Sequence, residues 1–491
     1  MLKTHIQFPD AYWSAPSALL YLGDVVAQLR RLPTRSVQTC ITSPPYWGLR
    51  DYGTAQWEGG NPDCEHEGKR KEGRDVTTYN NSGNYSNLYI DRIQRDGGNN
   101  SPQFGSKCIK CGATKIDMQI GSEPSPDCMT YGQSQCGMCF ICTMVKVFRE
   151  VHRVLRDDGT CWINLGDGYS HSGGHSGQGE TSQRKGRSMV PELNSTTSSR
   201  GSSIPQGNLL GIPWRVALAL QVDGWIIRND NIWYSPNKMP ESVTSRCSKS
   251  HEHIFMLTKS MNYYYDSVAI EEDAQNWGTR DRSNFRSGTN DPLLKYHGLK
   301  GKANEEEPSK NKRDVWVVPS LPKPKGLEGH FATFSPQLIT PCILAGTSEH
   351  GCCAECATPY ERVVRKVGGI KQEENDYKRD RSFRHSRNGK DSTLDTQRYK
   401  KETVTWQKKC GCQTTKVVPC IVLDPFVGSG TTVATAIDLE RQGIGIDLSE
   451  EYLTTNAIIR IEASIKKEKI QRKPTTGTMP YKPLPRKPMR E

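Results

Sequence analysis

Short apolar runs alternate along this chain with segments of helical spacing, and the alternation is broken twice by long polar stretches. Tyr21 to Leu32 (YLGDVVAQLRRL) reads as a strand end followed by a short helix, with Asp24 at the junction. Ser36 to Thr42 has a strand pattern that runs straight into Ser43-Pro44-Pro45-Tyr46-Trp47. Val145 to Leu155 carries apolar residues at helical spacing, closes with Asp157-Asp158-Gly159, and leads into a strand from Thr160 to Leu165. Ile212 to Val222 predicts a helix, and Trp225 to Trp233 and His253 to Thr258 predict strands separated by the polar loop Tyr234 to Ser242. After an apolar patch at Asp314 to Val318, a helix is expected from about Pro336 to Ala345. Cys420 to Leu423 then predicts a strand ending at Asp424, followed by a glycine turn, an Ala-rich helix from Thr432 to Leu439, and a second short strand at Gly443 to Asp447. Strands and helices in this alternation predict an α/β fold.

The stretch VLDPFVGSGTT, Val422 to Thr432, is therefore a strand, tight loop and helix, the start of a nucleotide-binding crossover. Gly428 and Gly430 let backbone approach a ligand closely, and Asp447 sits at a strand end where a carboxylate could hold ribose hydroxyls. The loop lacks the third glycine of the dinucleotide fingerprint and the lysine with which a P-loop grips phosphates. What remains is a site for a nucleoside without a pyrophosphate, or a glycine turn that only packs. Near the other end of the chain, two prolines stop the hydrogen-bond ladder and fix the local carbonyls. Pro-Pro alone is a turn; here a hydroxyl and an aromatic face arrive with it at the C-terminal end of a strand, where open α/β sheets build their sites.

The polar interruptions change the picture of domain organisation. Trp57 to Ile141 is rich in Gly, Asn, Ser and charge and reads as an insertion bearing Cys64-Glu65-His66 and Cys108-Ile109-Lys110-Cys111, a pair of ligands on each side of a long loop. Zinc held by Cys64, His66, Cys108 and Cys111 is preferred there over free thiols. Cys128 and Cys136 have no clear assignment, and Cys139 and Cys142 fit equally as ordinary buried residues of the helix that follows. A second insertion opens with Cys352-Cys353-Ala354-Glu355-Cys356 and closes with Cys410-Gly411-Cys412 around a highly charged middle. Cys353, Cys356, Cys410 and Cys412 suit a four-thiolate zinc site, with Cys352 as a substitute for Cys353. Gly168 to Gly207 and Asp273 to Arg313 are polar, basic loops, fit either to order on DNA or to remain solvated linkers. The organisation expected is a core start at 1–56, a first insertion at 57–141, core at 142–346, a second insertion at 347–416, a nucleoside-binding part of the core at 417–466 and a Lys/Pro-rich tail at 467–491.

Composition sharpens this reading. A hydrophobic content of 34% and a mean hydropathy of -0.69 are low for a compact enzyme of 491 residues, in keeping with exposed insertions. The formal charge of +12 favours a polyanionic partner. Seventeen cysteines, clustered in close pairs, suit metal chelation in a reducing cytosol better than a secreted disulfide framework. With no long apolar run and no signal peptide in MLKTHIQFPD, a cytoplasmic protein without membrane association is expected, in a bacterial or phage-infected cell.

The order of the two motifs, TSPPYW before DPFVGSGTT, resembles the β-class amino-methyltransferases of DNA, with further similarity at Gly23-Asp24, HFATFSPQLITPCI and GIDLSEEYL. The resemblance covers most of the chain outside the insertions, and close members of the family often carry cysteine pairs at the same two places. It implies a circularly permuted Rossmann-like sheet, here with two zinc-bearing insertions, in which the catalytic half precedes the cofactor half. It also implies S-adenosylmethionine as cofactor, with Asp424, Phe426, Gly428, Gly430 and Thr431 around its methionine part, Asp447 on the ribose, Asp24 near the adenine and Phe334 walling the pocket. In the catalytic turn Ser43, Pro44, Pro45 and Tyr46, the Ser43 hydroxyl and the Pro44 carbonyl would accept hydrogen bonds from an exocyclic amine, and Tyr46 would stack on a base flipped out of double-stranded DNA. Catalysis would be alignment and electrostatics, with no covalent enzyme intermediate.

Ser-Pro-Pro-Tyr in this family goes more with N4 of cytosine and Asp-Pro-Pro-Tyr with N6 of adenine, so cytosine is expected and adenine is the alternative. A cognate restriction endonuclease would accompany the enzyme without being required by it. Two further readings are a non-catalytic zinc-containing DNA-binding protein, which predicts damage at either motif, and a methyltransferase of protein glutamine or RNA, against which Ser43, the motif order and the basic insertions speak.

Overall fold

The computed structural model describes residues 2, 4, 6–47, 56–64, 108–116, 120, 139–170, 207–273, 309–320, 334–367 and 400–471, apart from 62, 109 and 239. Its main elements are β1 (Trp13–Ala15), β2 (Ala18–Leu22), α1 (Val25–Arg31), β3 (Val37–Thr42), α2 (Phe140–Val154), β4 (Leu155–Leu165), α3 (Ile212–Val222), β5 (Ile226–Tyr234), β6 (His251–Thr258), β7 (Val315–Val317), α4 (Pro336–Gly346), β8 (Ile421–Asp424), α5 (Thr431–Asp438), β9 (Gln442–Asp447) and α6 (Ile458–Gln471). Nine of the described strands form one mixed sheet in the order β1-β2-β9-β8-β3-β4-β6-β5-β7. The central run from β2 to β4 is parallel, and β6 enters antiparallel to both β4 and β5. Strands β3 and β8 lie side by side, Val422 opposite Thr39 and Leu423 opposite Cys40, although nearly the whole chain separates them.

Every residue of β3 and β8 is buried, as expected for parallel strands covered on both faces. Alternation sorts their side chains: Cys40 and Leu423 face one core with α1, α2 and α3, while Ile41 and Val422 face a second core with α4. Helix α2 shows why its sequence is helical, since Met144, Phe148 and Val151 recur at spacings of three or four on the buried stripe. It begins at Phe140, where the Cys139 thiol accepts from the Cys142 amide as an N-cap, so both cysteines serve the helix start.

Several boundaries differ from the sequence reading. The turn expected at Asp157-Asp158-Gly159 is instead the irregular beginning of β4, whose pairing with β3 shifts register between Val37 and Thr39. Charges there are tied down locally, Arg156 to Asp158 at 2.8 Å and Lys259 to Asp157 at 3.2 Å, so a polar stretch can stay extended. Strand β6 starts at His251 rather than His253, pairing His251 with Tyr234 and Glu252 with Trp233.

The described part of the first insertion contains a two-stranded ribbon, Gln56–Glu58 with Thr114–Ile116. The second contains an antiparallel hairpin, Glu361–Val367 with Lys400–Gln407, above a short pairing of Cys352–Cys353 with Val417–Val418. Residues 171–206 and 274–308 of the long basic loops and 472–491 of the tail lie outside the described residues. Among those described, no helix is long and apolar enough to cross a membrane.

Candidate active site

Because β3 and β8 are parallel neighbours, the Ser43-Pro44-Pro45-Tyr46 turn and the glycine turn leave the sheet at the same edge. Asp424, the last residue of β8, fastens them together. Its carboxylate accepts from the Thr42 hydroxyl at 2.6 Å, the Thr432 hydroxyl at 2.6 Å and the Phe426 amide at 3.1 Å. Asp424 is 2% exposed, and burial pushes its carboxyl up to about 6 against the opposing pull of those three hydrogen bonds. The group predicted to face the cofactor thus has its carboxylate oxygens engaged by the protein.

The two glycines of the turn do different work. Gly430 adopts φ +78, and a side-chain carbon there would lie 2.9 Å from the Ala457 Cα, so this glycine is required by helix packing. Gly428, at φ +47, has nothing nearer to such a carbon than the Phe426 carbonyl at 3.9 Å, so its face of the turn is open. Steric packing and a left-handed backbone both call for glycine at 430, whereas at 428 the left-handed backbone alone calls for it.

At the end of β9, Asp447 accepts from the Gly428 amide at 2.8 Å and the Ser449 amide at 2.9 Å, and its carbonyl accepts from the Gly23 amide. Burial raises its pKa while the backbone amides of Ser449, Gly428 and Leu448 oppose the rise. Asp24, next to Gly23, caps α1 by accepting from the Ala27 amide at 2.8 Å. Asp24, Asp447 and Gly428 are therefore consecutive along one edge. Phe426 packs against the first core, whereas Phe334 precedes α4 on the other face and packs against the second.

Several contributions escaped the sequence reading. Arg460 of α6 donates to the hydroxyls of Ser429, at 3.0 Å, and Thr431, clamping the glycine turn from behind. Tyr46 directs its hydroxyl to the Glu252 carboxylate at 2.7 Å, with the Asn164 carbonyl oxygen at 3.2 Å, and its ring rests on Gly166, where a side-chain carbon would meet it at 2.6 Å. The Ser43 hydroxyl lies 3.5 Å from the Tyr46 hydroxyl. Lys238 pairs with the other Glu252 oxygen at 3.2 Å.

The cysteines assemble into two groups. Cys353, Cys356, Cys410 and Cys412 have ligand atoms all within 4.8 Å of one another, as do Cys64, Cys108 and Cys111. Tetrahedral thiolates about 2.3 Å from a zinc ion stand roughly 3.8 Å apart, so both groups have the dimensions of such a site. Cys352 instead turns inward, its thiol 3.4 Å from the Val418 carbonyl. Burial opposes ionisation of Cys356, but hydrogen bonds with Thr358, Cys410 and Cys412 bring it down to about 6, while burial raises Cys410 and the hydrogen bond with Cys356 raises Cys412, so one thiol of the group ionises at its neighbours' expense. His66, the fourth ligand expected in the first group, lies outside the described residues.

Comparison with known proteins fixes the class. A family model described as DNA methylase, of the N6/N4 type, matches residues 37–354 and 419–458, with its break over the cysteine hairpin. The type II methyltransferase M.Cfr9I of Citrobacter freundii is 31% identical over 436 residues, covering 89% of this chain and 85% of the relative. The type II methyltransferase M.SmaI of Serratia marcescens is 28% identical over 461 residues, covering 93% of this chain and 92% of the relative. Among solved structures, the PvuII DNA methyltransferase (cytosine-N4-specific) aligns over 93% of both chains at 11% identity with a TM-score of 0.40. The chain belongs to the N6/N4 DNA methylase family. It is a type II DNA methyltransferase that uses S-adenosylmethionine to methylate an exocyclic amino group of DNA.

Proposed function

We propose that this enzyme methylates N4 of a cytosine in duplex DNA, and that the base is flipped out of the helix into the edge between the two turns. The observation that supports this most is the Thr42–Asp424–Thr432 bridge, which sets the Ser43-Pro44-Pro45-Tyr46 turn beside the open face of Gly428. An aromatic amine is a poor nucleophile because its lone pair is delocalised into the ring. The Ser43 hydroxyl and the Pro44 carbonyl accept hydrogen bonds from its two protons and draw the nitrogen toward tetrahedral geometry. Pro45 keeps that carbonyl fixed, and Tyr46 stacks on the base. Bound S-adenosylmethionine supplies an electrophilic methyl group on a sulfonium.

On the cofactor side, the turn from Asp424 to Thr431 receives the methionine portion, with Phe426, Gly428 and Gly430 shaping it. Asp447 retains lone pairs for the ribose beyond those taken by Gly428 and Ser449. Asp24 lies toward the adenine and Phe334 walls the pocket. Cytosine is favoured because Ser43 presents a neutral hydroxyl where adenine-specific relatives resemble Asp-Pro-Pro-Tyr. Both cysteine groups hold structural zinc, the first completed by His66. The enzyme works in the cytoplasm on double-stranded DNA, and a cognate endonuclease is not needed for its activity.

Methyl-tritiated cofactor with duplex DNA, followed by digestion to nucleosides, tests the reading. N4-methyldeoxycytidine is expected; N6-methyldeoxyadenosine would overturn the choice of base, and label only in RNA or protein would overturn the substrate.

A further inference from the structure

The Ser-Pro-Pro-Tyr turn offers no carboxylate of its own, yet the amine must lose a proton as it gains a methyl group. A carboxylate is nevertheless connected to it. The Ser43 hydroxyl lies 3.5 Å from the Tyr46 hydroxyl, and the Tyr46 hydroxyl donates to the Glu252 carboxylate at 2.7 Å. Glu252 is the second residue of β6, whose antiparallel entry brings its N-terminal end to the edge where β3 and β4 end. The second Glu252 oxygen is held by Lys238 at 3.2 Å, and Asn164 donates to the first at 3.3 Å. Glu252 is therefore a fixed acceptor at the end of a short hydroxyl chain from the reacting nitrogen.

We infer that Glu252 is the terminal proton acceptor of the methyl transfer, reached from Ser43 through the Tyr46 hydroxyl. The inference rests on Ser43 being the residue that meets the target amine. In the relay the amine N–H bond breaks and its proton goes to the Ser43 oxygen. The Ser43 proton moves to the Tyr46 oxygen, and the Tyr46 proton moves to Glu252. The net change is one N–H bond lost and one carboxyl O–H bond formed. The positive charge left on the methylated nitrogen and the negative charge of the carboxylate disappear together. Ser43 and Tyr46 end as they began, with their hydroxyls turned, and Glu252 returns its proton to water on the Lys238 side, where the pair is not fully covered.

The groups facing Glu252 define what else can titrate. Lys238 and Lys249 approach from the segment between β5 and β6, with Asp167 beyond Lys249, while Asn164 and Tyr46 approach from the β4 and β3 ends. His251 and His253 flank it on β6, and His253 is tied to Asp230 at 3.0 Å. A purely structural role is the competing explanation, in which Glu252 only steers the Tyr46 ring. Glu252→Gln separates the two, because an amide oxygen still accepts from Tyr46 but cannot take up the proton.

Single-turnover transfer of tritiated methyl groups into duplex DNA is measured between about pH 5 and 9, beside DNA affinity by fluorescence anisotropy. Glu252→Gln and Tyr46→Phe should each slow transfer on the order of a hundredfold, the size of a lost proton acceptor, and the double variant should be no slower than either. DNA affinity should hold within about twofold in both single variants. A Gln variant with wild-type rate, or losses that multiply in the double variant, would overturn the relay. Should Glu252→Gln misfold, Tyr46→Phe decides alone: it retains the ring, so an unchanged rate and pH profile refutes the chain. Ser43→Ala separates the levels. If it transfers normally, the reading of Ser43 fails; if it is slow while Glu252→Gln is normal, only the relay fails.

Discussion

Replacing Asp424 by Asn tests the bridge between the two turns through its proton. Burial holds this carboxyl up to about 6, against 3.8 for an unburied aspartate, despite the hydrogen bonds from Thr42, Thr432 and the Phe426 amide and with the Asp447 charge adding to the rise. The folded chain therefore keeps a proton between those values that the unfolded chain has released. With more protons bound to the folded state, stability must fall as pH rises through that window. A rise of about two pH units corresponds to about 3 kcal/mol. Because only 2% of the residue is exposed, solvent screening removes little of this. Asparagine has nearly the same shape and no proton to lose. Its oxygen accepts from Thr42 and the Phe426 amide, and its nitrogen donates to Thr432 once that hydroxyl turns. The unfolding free energy of the wild type minus that of Asp424→Asn, from urea titrations at each pH, should drop by about 3 kcal/mol between roughly pH 4 and 6 and be flat above. A difference that ignores pH, or that grows with it, would show that the carboxylate is not desolvated at this position.

The two glycines should fail differently. Both positions have a left-handed backbone, which costs an alanine roughly 1–2 kcal/mol; Gly430→Ala also forces a carbon against Ala457, so its thermal midpoint should fall further than that of Gly428→Ala, and Gly428→Ala should lose S-adenosylhomocysteine affinity by calorimetry. Equal affinity losses with equal midpoints would refute the division. Cys353→Ser should release zinc and expose the Glu361–Val367 hairpin to protease; wild-type protein without zinc by metal analysis would defeat the assignment.

Both motifs were legible because their chemistry is local. Ser43-Pro44-Pro45-Tyr46 and Val422 to Thr432 carry their turn residues in order, and helix α3 runs from Ile212 to Val222 as its spacing predicts. Glu252 was missed for a reason that the structure makes plain. His251-Glu252-His253 is too polar to read as strand, so the strand seemed to begin at His253 and Glu252 fell into a loop. In the fold these residues do pair, and Glu252 meets Tyr46 from 206 positions away. The signal available was a carboxylate directly before the apolar run Ile254 to Leu257. Arg460 was hidden because periodicity shows which helix face is apolar but not what a long side chain at its margin reaches. Asp424 was read as a ligand contact when its first duty is to join Thr42 to Thr432, a choice between partners that a strand-end carboxylate does not reveal in sequence.

The second cysteine group is anchored at one edge of the sheet. Gln38, at the start of β3, donates to the Ala357 carbonyl at 2.9 Å and accepts from the Ile421 amide at 2.7 Å, so the root of the second insertion is bolted to the edge where β3 and β8 begin. Arg156, at the start of β4, adds a bond to the Cys356 carbonyl at 2.6 Å. The Ser43-Pro44-Pro45-Tyr46 turn and the glycine turn leave from the opposite edge, where these strands end. The first insertion, by contrast, follows the Ser43-Pro44-Pro45-Tyr46 turn and so branches from that edge. Closing a longer loop adds entropy only as the logarithm of its length, so the second insertion can be large at little cost once its root is fixed. Its four cysteines sit at that root, away from the edge where the two signature turns leave the sheet. A metal there would act on folding by holding the insertion's two ends together next to β8, and thereby protect the register that sets Asp424 against Thr42.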